Sequence, residues 1–164
     1  MLTPFIAGLF ALAGVLLGVF LEPVKAKVAA RTRLREDRAS RCAELVEAAT
    51  ASREEVKWLL RTIREDEEPV PATAEMTAAA EQRYWQARSS LKKMVMLIRL
   101  IGPDRLIASA EAVSDTDRAV RKLWFGPRPA ERRSHSAEIA ETLRASRRAL
   151  EEFTDLARRI TTSR

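Results

Sequence analysis

One histidine, one cysteine and five glycines in 164 residues remove several kinds of chemistry at the outset. With His135 alone, a single chain cannot supply a two-histidine metal centre, and the Glu-x-x-His pattern of di-iron bundles is missing. Cys42 has no second thiol to bond, so no intrachain disulfide forms, in keeping with a reducing compartment. It falls on an apolar helical stripe, the position of a packed core cysteine rather than of a nucleophile. No glycine-rich phosphate loop occurs. The acidic run Glu65, Asp66, Glu67 and Glu68 stands beside Pro69 and Pro71 and reads as a solvated turn. These absences point away from catalysis, and neither a cofactor nor a metal is expected.

Charge is missing from a second place, the opening of the chain. Leu2 to Leu21 carries no ionisable side chain, and eleven of the seventeen residues from Phe5 to Leu21 are Leu, Ile, Phe or Val. About 20 apolar residues are what a helix needs to cross roughly 30 Å of hydrocarbon. Each such residue favours insertion by about 0.3–0.6 kcal/mol near the bilayer centre, with no charge at about 3 kcal/mol to oppose it. The expectation is a transmembrane anchor over residues 1–22, although Val24-Lys25-Ala26 would also suit cleavage of a secretory signal. A signal wants its cations before the apolar run, and here they follow it. Lys25, Lys27, Arg31, Arg33, Arg35, Arg38 and Arg41 give residues 22–41 a net charge of +4. Cations beside a span stay on the cytoplasmic side, so the N-terminus is expected outside and the rest inside, at the inner membrane. The basic stalk, 23–41, would press Lys25, Lys27, Arg31, Arg33 and Arg35 against anionic headgroups at about 1 kcal/mol each. Ala7, Ala11, Gly14 and Gly18 share one face of the span and offer a small-residue groove for self-association.

What remains is rich in Ala, Leu, Arg and Glu, the residues of long helices, and poor in the β-branched and aromatic clusters a sheet needs. Residues 42–164 are expected to form an all-α cytoplasmic bundle of about four antiparallel helices, because the connections are short. The spacing predicts a first helix over 24–64 with Cys42, Leu45, Ala49, Val56, Leu59 and Ile63 inward. The second, capped by Thr73, carries Met76, Ala80, Tyr84, Ala87, Leu91, Met94, Ile98 and Ile101. Gly102-Pro103 ends it. A third follows with Leu106, Ala110, Val113, Val120 and Leu123, its stripe broken by Asp117. After Gly126-Pro127-Arg128-Pro129, Ser134 or Ser136 can cap a fourth with Ile139, Leu143, Leu150, Phe153, Ala157 and Ile160 inward and Ser146 interrupting.

The net charge of +6 raises nucleic-acid binding, but the cations are dispersed. In residues 128–164, Glu131, Glu138, Glu141, Glu151, Glu152 and Asp155 alternate with the arginines at helical spacing, the pattern of a solvated face. Nucleic acid is therefore not the expected partner. Trp58, Trp85, Trp124 and Phe125 either fill the bundle interior or form an apolar patch that receives a protein partner. The reading that follows is a membrane-anchored, non-enzymatic scaffold that self-associates or docks another protein. The alternative is a membrane-disrupting effector whose spans gather when the bundle is triggered.

Overall fold

The computed structural model describes the backbone of residues 3–63 and 72–162 and the side chains of residues 27–63, 72–128 and 131–162. Every regular element among them is helical: α1 (Thr3–Arg61), α2 (Ala74–Ile101), α3 (Asp104–Phe125), a short 3-10 helix (Pro129–His135) and α4 (Ser136–Thr162). No helix among the described residues is long and apolar enough to cross a membrane. The side chains of residues 1–26, on which the expectation of a span rests, lie outside the described set, and with them Ala7, Ala11, Gly14, Gly18 and Lys25. The acidic turn at 65–68 also lies outside it.

The chain divides into two units, residues 1–37 and 38–164. In the first, residues 27–37 are exposed throughout, Lys27, Arg31, Arg33 and Arg35 included. The second is an antiparallel bundle, and its direction can be read from what meets in the core. One apolar cluster joins Leu45 and Ala49 of α1 to Leu91 and Ile98 of α2, Leu106 and Val113 of α3, and Phe153 and Ala157 of α4. The other joins Val56 and Leu59 to Ala80 and Tyr84, Val120 and Trp124, and Ile139 and Leu143. Going from the first cluster to the second, numbering rises along α1 and α3 and falls along α2 and α4. A fully buried side chain of this kind contributes roughly 1.5–3 kcal/mol, so these two clusters are the main source of stability.

Local signals place the ends. The Thr73 hydroxyl accepts from the Met76 backbone N–H at 3.2 Å and starts α2 as an N-cap. At the other end of α2, an ideal Cβ on Gly102 would sit 2.7 Å from the Ile98 carbonyl oxygen, so only glycine fits the turn into Pro103. The Arg38 guanidinium donates to the Ile101 carbonyl at 2.5 Å, satisfying an orphan acceptor where the helix dipole is negative. Two exposed ion pairs then link neighbours: Arg83 grips Glu55 through two hydrogen bonds, at 2.7 and 2.9 Å, and Arg99 donates to Glu111 at 2.8 Å.

Candidate functional site

Between the two apolar clusters lies one buried polar residue from each helix: Ser52, Arg88, Asp117 and Ser146. Their spacing explains the convergence. Each follows an inward residue by three or four positions and precedes the next by the same, so each occupies a core position at the same level of the antiparallel bundle. Arg88 and Asp117 form a buried ion pair, with the guanidinium donating to the carboxylate. Ser52 returns its hydroxyl to the Ala49 carbonyl at 3.1 Å, within its own helix. Burial pushes the Arg88 guanidinium below its ordinary value, and the nearby Arg121 and Arg118 charges act in the same direction. The Asp117 carboxylate is engaged by its partner.

Tyr84 lies one turn from Arg88, completely buried, and its hydroxyl has no hydrogen-bond partner among the described residues. Burial is the larger influence on its titration and outweighs Arg88 and Arg121, so the phenol is pushed up to about 12 from 10.0. An unfolded phenol ionises near pH 10. Stability associated with Tyr84 is therefore intact below that pH and is lost as pH climbs from about 10 to about 12, where the unfolded chain has released a proton that the folded chain retains. Tyr84 is the sole tyrosine, so the ultraviolet absorbance of phenolate reports it alone. The native protein should titrate near 12; a midpoint near 10 would place the ring in water. Tyr84→Phe removes an unpaired buried hydroxyl, and chemical denaturation should find stability unchanged or higher by about 1 kcal/mol.

The aromatic residues separate into two environments. Trp124 is 1% exposed and fills the core, which corrects the expectation that it could belong to a partner patch: its ring is needed where α3 closes the second cluster. Its indole N–H donates to Glu81 at 3.3 Å, and Arg132, paired with the same carboxylate at 3.1 Å, lies 4.9 Å above the ring. That contact fastens the 3-10 helix to α2 and α3. Trp58 is half-buried against the same cluster. Trp85 is 44% exposed and meets Phe125 at 4.9 Å, while Phe125 stacks on Tyr84 at 5.0 Å. Thus Trp85, backed by Phe125, is the aromatic surface. Met96 and Leu100, 64% and 80% exposed, follow Trp85 at 11 and 15 residues, close to three and four helical turns, and so share its face of α2.

The remaining chemically active side chains do not assemble. Cys42 is a buried free thiol whose titration is raised by burial more than Arg38 lowers it, the opposite of nucleophile activation. His135 meets Glu138 at 3.4 Å on the surface. No group of three or more His, Cys, Asp or Glu among the described residues could hold a metal ion. The sequence marks Asp117 and Ser146 as interruptions of their stripes but gives no such sign for Ser52 or Arg88. The missing signal was Asp117 itself, since a carboxylate at a core position calls for a cation at the same level. No family model, curated protein or solved structure matches the chain.

Proposed function

We propose that this chain is a membrane-tethered, non-enzymatic interaction module, held at the inner membrane by residues 1–22 with residues 23–164 in the cytoplasm. The observation that carries the reading is the succession, in one sequence, of an uncharged apolar run from Leu2 to Leu21 and seven cations between Lys25 and Arg41. The exposure of Lys27, Arg31, Arg33 and Arg35 supports a headgroup contact for the stalk. On α2, Trp85, Met96 and Leu100 are exposed with Ser89 and Lys92 between them, and large apolar side chains held in water support docking. Ala7, Ala11, Gly14 and Gly18 would bring copies together within the bilayer.

Topology and membrane integrity test this together. A cytoplasm-dependent fluorescent reporter fused after Arg164 should mature, and an alkaline phosphatase fusion at the same point should stay inactive. Overproduction should leave the membrane potential intact, as read by a potential-sensitive dye. Depolarisation abolished by Gly14→Leu/Gly18→Leu would replace the docking reading with that of a membrane-disrupting effector.

A further inference from the structure

The groove between α1 and α4 carries a charge distribution that the tether does not use. At the end of the bundle distant from Arg38 it encloses about 250 Å³ and is lined by Arg53, Lys57 and Arg61 on one wall and Arg144 and Arg147 on the other. Among the described lining residues Glu54 is the one carboxylate, and Leu60, Ala140 and Leu143 supply the apolar surface; the adjoining stretch, which shares Arg53 and Arg147, carries Glu151 and Asp155. Nearer Arg38, where Cys42, Val46, Thr154 and Ala157 line the same seam, Glu47 balances Arg158. Between α1 and α2, by contrast, Glu44 and Glu47 face Lys93. The concentration of cations is thus local, and like charges gathered at i, i+4 and i+8 on α1 repel one another unless anions lie between them.

The anions present answer this weakly. Glu54 is shared between Arg53 and Lys57, at 3.2 Å from each, while Arg144 and Arg147 turn to Glu141 and Glu151 on the outer surface of α4. Arg144 and Arg147 keep well over half of their side-chain surface in water. Exposed pairs of this kind contribute little and exchange readily for other carboxylates.

We infer that this groove receives an acidic amphipathic helix from a partner protein, its apolar side chains against Leu60 and Leu143 and its carboxylates between the two cationic walls. Successive cations on α1 are about 6 Å apart along the helix axis, the same repeat that Glu residues at i and i+4 present on a facing helix. Arg53 and Arg61 lie about 22 and 35 Å along α1 from Arg38, so the groove is distinct from the basic run that ends at Arg41. Nucleic acid fits less well, because the lining is Leu and Ala rather than aromatic or amide groups that stack on or read bases. The inference rests on the reading of the bundle as a docking module and names its partner's chemistry.

The test uses the full chain in lipid nanodiscs and three fluorescent probes: a designed helical peptide with Leu at i and i+4 and Glu on its flanks, the same peptide with Gln for Glu, and a single-stranded oligonucleotide. The acidic peptide should bind saturably, weaken as salt is raised, and lose about tenfold or more in affinity to Arg61→Glu/Arg144→Glu. The Gln peptide should bind at least as poorly. Lys57→Gln/Arg147→Gln, which removes exposed charge without reversing it, should give a smaller loss with an unchanged thermal melt. Equal affinity for wild type and both variants, no binding of the acidic peptide, or tighter binding of the oligonucleotide through the same arginines would each overturn the proposal. Failure here leaves membrane attachment unaffected, which separate fractionation reads.

Discussion

Asp117→Leu is expected to cost the bundle about 3–5 kcal/mol, the penalty for leaving the Arg88 guanidinium buried without its carboxylate. Arg88 is 7% exposed, with apolar residues above and below it, so it cannot reach water without distorting α2. A loss of that size is a large share of the 5–15 kcal/mol that typically separates folded from unfolded domains, and urea denaturation of the full chain in detergent would read it directly. The double substitution Arg88→Met/Asp117→Leu should recover most of the loss or exceed the wild type, because neither desolvated charge remains. Its expected cost is of another kind. An ion pair at one level of the core fixes which turns of α2 and α3 lie opposite each other, and an all-apolar interior leaves that register to packing alone. Broadened tertiary signals at undiminished stability are the outcome expected of the double variant. If Asp117→Leu alone were as stable as wild type, the layer would not be buried as described.

The three helix boundaries at Thr73, Gly102-Pro103 and Gly126 were legible because caps and breakers act within one turn of chain, and no tertiary information is needed to place them. The inward stripes were legible for the same reason, with instructive exceptions. Met76 satisfies the period but is exposed, since it lies a turn before Ala80, where the core of α2 begins. Ala87 and Arg88 both fall within a turn of Tyr84, and periodicity prefers the apolar neighbour, yet Arg88 is the buried one. Only the alignment of four helices at one level shows that Arg88 faces Asp117. Likewise Arg53, Lys57 and Arg61 could be seen in the sequence as a cationic line on α1, and Arg144 and Arg147 as another on α4. That they face each other depends on which helices are neighbours, and local pattern carries no information about that. Trp124 and Trp85 show the same limit, as hydrophobicity is equal for both and burial is not.

Leu12→Arg/Leu16→Arg should release the chain from the membrane. Each substitution replaces a residue that favours insertion by about 0.3–0.6 kcal/mol with one that opposes it by about 2.5–3.5 kcal/mol, a combined change of about 6–8 kcal/mol. The favourable total for the wild-type run is only a few kcal/mol, so two arginines reverse its sign. Residual attachment through Lys25 to Arg41 would be electrostatic, about 1 kcal/mol for each cation, and would yield to salt. The bundle itself should melt as before, because neither position belongs to residues 38–164.

Extraction of membranes at alkaline pH, after a high-salt wash, compares the two chains most directly. The wild-type chain should remain with the sedimented bilayer while Leu12→Arg/Leu16→Arg moves to the supernatant. Recovery of the wild type in the supernatant, or of both chains in the pellet, would contradict a tether built from the first twenty-two residues.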